Sequence, residues 1–479
     1  MSSEITSINT EQKNENVSVQ TLKRSASATQ PQKLSRKELL GYCAPTIAVY
    51  FIFGPMQSVI QGVYVKYYGF ELTAMAAIMV LARLFDGIID PVVGYLTDRH
   101  ANKGGSRRPW IFSGGILLVI SAYFLFSPPH EVSFLSTLFW FLVFYLALTL
   151  FDMPHISWGS LLAPEYQQRN QLYAYRTSFL FIGTFAFLGL PLLPFFQNHE
   201  YSPDVLRTGV YIGGGLMFLT LLFFHRNAPE RSPQPQQHDE TVLQTLKAIT
   251  NNKPLCLFLG AFLVNGLGIG MWMGLLFIYL DSYLHLGKYV AVTFVLGYMV
   301  GMATIPLWQC VNRRFSKFPT WSACLIVFAL LSFCYLVVKP ESGPWWPILI
   351  TVGMFSSFTY LGVVLPSIMA DIVDYGELKF GRDRSNVYFA CWSLISKANM
   401  GIGAGLGLGL AGLLGFDPTP TAINNENAIW GLLTAFALAP ALLSLCTLAF
   451  VSRMAITPQR HAIIRKRIES LRARKAVGV

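Results

Sequence analysis

Long apolar runs dominate the sequence. Twelve segments of about 20 residues or more have the length and apolar character that an α-helix needs to cross the hydrocarbon core of a bilayer. They cover approximately residues 39–66, 73–97, 109–127, 133–161, 172–195, 206–224, 254–280, 289–310, 319–338, 345–370, 385–415 and 427–452. Charged residues make up only 13% of the 479 residues, against about 25% in soluble proteins. The sequence therefore predicts an all-α integral membrane protein with twelve transmembrane helices.

Lys and Arg are distributed unevenly between the two sets of loops. With twelve spans both termini lie on one side, and that side collects most of the basic residues, including the stretches 99–108 and 313–317 and both tails. The opposite loops hold only Lys66, Arg207, Lys288 and Lys339. Because cytoplasmic loops carry the excess of positive charge, we expect both termini to be cytoplasmic in a plasma (inner) membrane. Together with anionic lipid headgroups, this asymmetry accounts for the net charge of +11. It gives no indication of nucleic-acid binding.

The longest internal polar segment divides the twelve spans into two sets of six. This segment, residues 225–253, begins as a Pro- and Gln-rich linker and ends in a stretch with apolar residues at helical spacing, which predicts an amphipathic helix. The predicted organisation is a cytoplasmic tail (1–38), a six-helix bundle (39–224), the linker (225–253), a second six-helix bundle (254–452) and a basic cytoplasmic tail (453–479).

Several ionisable side chains lie inside the apolar runs. Asp86 and Asp90 are four residues apart and share one helix face with Arg83. Asp152, Arg176 and Lys397 lie in other spans. A charge at the centre of a lone helix costs about 2.5–3.5 kcal/mol, so these side chains must face partners or water. They form either a permanent salt-bridge network or a site that alternately binds a cation and reforms an internal ion pair. Because buried ion pairs contribute little net stability, the second interpretation is favoured.

The loop after the second span carries a recognisable pattern. The stretch "GYLTDRHANKGGSRRP" contains Gly94, Asp98, Arg99, Arg107 and Arg108. It resembles the signature loop between the second and third helices of the major facilitator superfamily. The resemblance implies that the loop makes charge contacts that lock the two halves together while the cytoplasmic side is closed.

Three further motifs resemble the glycoside-pentoside-hexuronide:cation symporter family, which includes melibiose permease. They are "RLFDGIIDP" with "RRPW", "DMPHISW", and "MADIVDYGELKFGRDRSNVYFACWSLISK". The resemblance implies that Asp86, Asp90 and Thr149 bind the coupling cation and that Lys397 faces the acidic pair. It also implies substrate contacts from Asp152, Trp158, Arg176, Trp392 and Ser393.

This sequence departs from melibiose permeases at two places. Ile89 replaces the asparagine that precedes the second aspartate, so one oxygen ligand for Na⁺ is missing. The coupling ion is therefore H⁺ or Na⁺, and Asp86 and Asp90 are where Na⁺ would bind if it is the coupling ion; no other metal site is expected. The first span also lacks a carboxylate, and Tyr50 is a polar candidate for substrate contact there.

The predicted function is a secondary active symporter that imports a small polar solute, a sugar or glycoside. Its partners would be that solute, the coupling cation and the lipid bilayer, and we expect a monomer with no other cofactor. A lysophospholipid or amphipath carrier of the same fold is the alternative, and a non-transporting membrane sensor is a further one. The sequence contains no metal-ligand cluster, nucleotide loop or nucleophile with a positioned base, so an enzyme is not expected.

Overall fold

The computed structural model describes residues 34–128, 132–163, 166–196, 198–229, 249–381, 384–454 and 458–477. All regular structure in these ranges is helical. Most of the N-terminal tail lies outside the described residues. So does nearly all of the amphipathic helix predicted in the linker.

The first six long helices lie on the first six predicted spans. The first, α1, is interrupted at Val59, where the backbone leaves regular helical geometry. Their bounds are Arg36–Ser58 continued by Ile60–Tyr68 (α1), Leu72–Asn102 (α2), Arg108–Phe126 (α3), Phe134–Leu162 (α4), Tyr166–Leu188 (α5) and Pro203–Asn227 (α6).

The second six helices lie on the remaining spans, and three of them are built from joined pieces. The bounds are Lys253–Ile278 with a π-helical turn at Tyr279–Tyr283 (α7), Gly287–Ala303 continued by Ile305–Phe315 (α8), Lys317–Cys334 (α9), Trp345–Phe380 (α10), Ser385–Leu413 (α11), and Glu426–Leu433 running through a π-helical Thr434–Leu438 into Ala439–Val451 (α12).

Local sequence signals explain where several helices begin and end. Ser35 and Glu38 form a capping box at the start of α1, because the Ser35 hydroxyl accepts from the Glu38 amide and the Glu38 carboxylate accepts from the Ser35 amide. Ser133 and Ser202 cap α4 and α6 with their hydroxyls alone, which accept from the backbone amides of Ser136 and Val205. Gly381 ends α10 in the left-handed conformation, with φ of 71°.

Ten helices within the described residues are long and apolar enough to cross a membrane. The two long helices outside this set are α5 and α11, which carry Arg176 and Lys397 within their lengths. Both are nevertheless packed among the other helices, α5 against α1 and α11 against α7 and α2. The two charged side chains, Arg176 and Lys397, pair with carboxylates of neighbouring helices, as the cost of an unpaired charge in lipid requires.

The helices form two six-helix bundles that meet along a central interface. Within the first bundle α1 packs on α5 and α6, and within the second α7 packs on α11 and α12. Between the bundles α2 packs extensively on α11, and α1 contacts α7. The predicted twelve-helix, two-bundle architecture is confirmed. Because the helices alternate in direction, both termini lie at one end of the bundles, here called the terminal end, with the far end opposite.

A thirteenth helix, α13 (Pro458–Val477), docks on the end of α10. His461 Nε2 lies 2.9 Å from Asp374 Oδ2 and 3.4 Å from Asp371 Oδ1. Lys317, at the start of α9, donates to both Asp371 oxygens at 2.8 and 2.7 Å. The terminal extension of α10 is thus tied to α9 and to the C-terminal tail.

Candidate functional site

Two carboxylates and one hydroxyl converge where α2 and α4 of the first bundle meet. Asp86 and Asp90 lie one turn apart on α2, as their spacing predicts. Thr149 Oγ1, on α4, lies 3.1 Å from Asp86 Oδ1 and 2.9 Å from Asp90 Oδ1. A hydroxyl has a single hydrogen to donate, so it cannot fully satisfy two ionised carboxylates at once. The three oxygens therefore form an electron-rich cluster that suits a proton or a small cation.

Each carboxylate also has its own basic partner. Arg83 Nη1 lies 3.5 Å from Asp86 Oδ2, with its guanidinium 4.3 Å from the centre of the Tyr145 ring. Lys397 Nζ lies 2.5 Å from Asp90 Oδ2. Arg83 belongs to the same bundle as the acids, whereas Lys397 comes from α11 in the other bundle. The Asp90–Lys397 ion pair therefore joins the two halves.

The position of Arg83 depends on a glycine in the opposite bundle. A Cβ atom at Gly401 of α11 would lie 1.9 Å from Arg83 Cγ. The side chain of Arg83 therefore occupies the space that any larger residue at this position would need. This contact and the Lys397 ion pair, four residues apart on α11, couple α11 to the acidic pair of α2.

A second charged pair, Arg176 with Asp152, joins α5 to α4. His155 Nδ1 lies 3.5 Å from Arg176 Nε, and His155 Nε2 lies 2.8 Å from the Tyr42 carbonyl oxygen. Tyr50 of α1 adjoins Arg176. These residues make a polar cluster within the first bundle.

A cavity of about 410 Å³ lies between the two bundles. Helices α1 and α5 line one side, and α7, α8, α10 and α11 line the other. Tyr50 and Trp392 are among the lining residues, and so are the neutral polar residues Gln57, Asn265 and Asn399. None of the described residues that line this cavity is charged. The cavity is therefore suited to an uncharged solute.

The other residues predicted to contact substrate lie outside this lining. Asp152 and Arg176 lie in the polar cluster that Tyr50 adjoins. Trp158 is buried, with its ring centre 5.2 Å from that of Phe224. Ser393 is exposed, and Ser396, one turn later on α11, lines the cavity instead.

The predicted signature loop lies at the terminal end. Arg107 Nη2 is 3.3 Å from Asp98 Oδ1, and Arg108 donates to the Ala228 carbonyl oxygen at 2.8 Å. These contacts tie the loop to its own bundle. Gly94 has open space where a Cβ would stand, and Arg99 is exposed.

Sequence reasoning missed an ion cluster at the far end. Lys66 Nζ, at the end of α1, lies 2.8 Å from Asp281 Oδ1 and 3.5 Å from Glu200 Oε2. Lys66 and Glu200 belong to the first bundle and Asp281 to the second. The Asp281 side chain is only 3% exposed. In the sequence, Asp281 directly follows the predicted span 254–280. An aspartate at that position is expected to be an ordinary loop residue when spans are identified by their length.

Comparison with known proteins gives a consistent result. Residues 41–458 match the family described as MFS/sugar transport protein. The chain is 24% identical to the symporter YjmB of Bacillus subtilis, over 95% of this chain and 98% of that protein. It is also 24% identical to the raffinose carrier protein of Pediococcus pentosaceus, over 83% of this chain and 64% of that protein. The crystal structure of the nucleoside transporter NupG superposes with a TM-score of 0.59 at 14% identity, covering 88% of this chain and 99% of that one.

Proposed function

The chain belongs to the family of MFS/sugar transport proteins, and from this premise we propose that it is a cation-coupled symporter that imports a sugar or glycoside by alternating access. The predicted resemblance to the glycoside-pentoside-hexuronide:cation symporters is confirmed at the level of the family, and the protein is an integral membrane transporter rather than an enzyme. The cation, the solute and the direction of transport belong to the proposal.

The observation that carries the proposal is the Asp90–Lys397 ion pair between the two bundles. At 2.5 Å, Lys397 Nζ occupies the position that an added cation would take beside Asp90 Oδ2. A cation that binds to Asp86, Asp90 and Thr149 therefore competes with Lys397 for the same charge. Because a charge without a partner is costly inside a membrane, release of Lys397 favours a rearrangement of α11, which also lines the cavity. Cation binding and solute binding are coupled through this helix.

Both candidate cations suit the chemistry of the acidic pair. A proton needs a single carboxylate. Because the Thr149 hydroxyl has one hydrogen and lies near two carboxylate oxygens, one of these oxygens receives no hydrogen bond from it and could bind the proton. A sodium ion needs several oxygen ligands, and Asp86, Asp90 and Thr149 offer three side chains that carry them. Ile89 adds none. Uptake measured with an imposed pH gradient or an imposed sodium gradient distinguishes H⁺ from Na⁺ as the coupling ion.

Alternating access requires that the two ends of the bundle open in turn. The excess of Lys and Arg supports a terminal end that faces the cytoplasm of a cell with a plasma (inner) membrane. The Lys66–Asp281–Glu200 cluster, which joins the two bundles at the far end, is then proposed to close the outer end. The loop of Gly94, Asp98, Arg99, Arg107 and Arg108 is proposed to make the corresponding contacts at the cytoplasmic end in the opposite state.

Uptake into proteoliposomes tests the proposal. Labelled raffinose and other neutral saccharides are offered with an imposed sodium gradient or pH gradient, and accumulation is measured over time. One gradient should drive accumulation, and Asp90→Asn should abolish it because the variant loses the charge that Lys397 and the cation share. Asp204→Asn, which removes an exposed carboxylate in the first turn of α6, serves as the control and should accumulate normally.

Two results would contradict the proposal. Full accumulation by Asp90→Asn removes the coupling role of the acidic pair. Competition by lysophosphatidylcholine, with no effect of any saccharide, assigns the cavity to an amphipath instead.

A further inference from the structure

One face of α11 forms a wall of the central cavity. Trp392, Ser396 and Asn399 follow each other at intervals of four and three residues, so they lie on the same side of the helix. All three line the cavity. Lys397, which binds Asp90, lies between them in sequence and on a different face. The helix thus separates the acidic pair from the cavity and contacts both.

Asn399 is held in one orientation by the neighbouring helix. Its Nδ2 donates to the carbonyl oxygen of Phe262 on α7 at 2.9 Å. The side chain fits there because Gly266 faces it, where a Cβ would lie 1.9 Å from Nδ2. If the amide were turned over, Oδ1 would face the Phe262 carbonyl oxygen, so the donated hydrogen bond fixes which of the two amide atoms is Oδ1.

This Oδ1 atom is buried and has no hydrogen-bond partner among the described residues. Asn399 as a whole is 2% exposed. Trp392 Nε1, on the same wall, also lacks a partner within the described parts of the chain. Buried polar atoms are nearly always paired, and leaving an acceptor unpaired is unfavourable. A fixed acceptor and a donor at one cavity wall therefore indicate a ligand that supplies the missing partners.

We propose that Asn399 determines substrate specificity by accepting, at Oδ1, a hydrogen bond from one hydroxyl of the transported solute, while Trp392 Nε1 donates to one of its oxygens. The inference rests on the proposed function and narrows it to a neutral hydroxylated compound. Since no described lining residue is charged, a uronic acid or a sugar phosphate would enter the cavity without a counter-charge, which is costly.

The test measures inhibition of saccharide uptake in proteoliposomes. The probes are a transported neutral saccharide, its singly deoxygenated derivatives, the matching uronic acid and the matching sugar phosphate. In the wild type, removal of one particular hydroxyl should weaken binding about tenfold or more, because the buried acceptor is left unpaired. The two charged derivatives should not compete.

Asn399→Leu, similar in size but unable to hydrogen-bond, should bind the parent saccharide about as weakly as the wild type binds that one deoxy derivative. The ratio of the inhibition constants of the deoxy derivative and the parent saccharide should fall to about 1. A purely structural role would weaken both compounds equally and keep the ratio. Asn399→Ser serves if the leucine variant does not fold, and should lower the same ratio.

Asn312→Leu is the matched control. Asn312 also has an unpaired buried Oδ1 among the described residues, but it lies on the terminal extension of α8, outside the cavity lining. Its variant should keep the wild-type ratio. An unchanged ratio in both Asn399 variants overturns the role of Asn399 while neutral saccharide uptake still supports the proposed function. Failure of every saccharide to be transported overturns both.

Discussion

Thr149 and Gly401 show how single residues set the chemistry of the acidic pair. The hydroxyl of Thr149 lies within 3.1 Å of both carboxylates, so the side chains of Asp86 and Asp90 converge on the same atom. Gly401 contributes by having no side chain, since Arg83 fills that space. The sequence marked the two aspartates because a charge in an apolar run is conspicuous. Gly401 carries no comparable signal in the sequence, because its role depends on Arg83 in the other bundle.

Gly401→Ala should displace Arg83 from Asp86 and from the Tyr145 ring. Because the new methyl group would overlap buried atoms, we expect a loss of about 1–3 kcal/mol in stability, together with an altered cation dependence of uptake. Thermal unfolding of the purified protein measures the first effect. Gly409→Ala on the same helix is the control, since its Cβ would meet Ala76 at an ordinary 3.4 Å. Equal unfolding temperatures for the two variants would contradict the packing role of Gly401.

Helices α10, α11 and α13 show how single helices connect distant parts of the protein. Helix α11 contacts the acidic pair through Lys397 and lines the cavity through Trp392 and Asn399. Helix α10 spans 36 residues, or about 54 Å at 1.5 Å per residue, which exceeds a hydrocarbon core of about 30 Å. Its extension provides the docking site for α13.

Docking of α13 can be tested by comparing two isoleucines on that helix. Ile468 is 5% exposed and Ile463 is 55% exposed. Ile468→Ser should weaken docking by about 1.5–3 kcal/mol, and the undocked population should rise about tenfold or more. Limited trypsin digestion of the purified protein, which cleaves the basic helix only when it is undocked, measures this population. Ile463→Ser should be cleaved at the wild-type rate. Similar cleavage of both variants would show that α13 is not held by this contact.

Within the described parts of the chain, two inter-bundle ion pairs hold the bundles together at different points. Asp90–Lys397 joins α2 to α11, and Lys66–Asp281 lies at the far end. The contacts described for Asp98, Arg107 and Arg108 at the terminal end stay within the first bundle. In the proposed transport cycle, this distribution is expected of a state whose far end is closed.

Lys66→Gln should favour opening of the far end, because Asp281 is buried and would lose its cation. A cysteine at Ser58, which lines the cavity, reports on this opening. The labelling of this cysteine by an impermeant maleimide added outside should become several times faster. The background from the natural cysteines is measured in the otherwise identical protein that keeps Ser58, and it is subtracted. Lys288→Gln removes an exposed lysine near the same end and should leave the rate unchanged. An unchanged rate in Lys66→Gln would rule out the closing role of the cluster.

The sequence alone determined the membrane class, the twelve helices and the identity of the acidic pair. Apolar runs must be helical in lipid because every backbone polar group needs an internal partner, and charges in such runs are rare enough to be noticed. Spacing on one helix also placed Asp86 and Asp90 on a common face. These properties depend on residues that are close in sequence.

Which residues meet across the two bundles depends on how the helices pack, and the sequence alone does not specify this. Lys66 and Asp281 are 215 residues apart in the chain, and each alone resembles an ordinary loop charge. Asn399 is neutral, so nothing in its sequence context distinguishes it from other polar residues in membrane helices. Its significance depends on the cavity that it lines, on its contacts with Phe262 and Gly266 of α7, and on an oxygen without a partner among the described residues. Such an arrangement arises only when α7 and α11 are packed, because hydrogen-bond satisfaction is a property of the surroundings rather than of the residue.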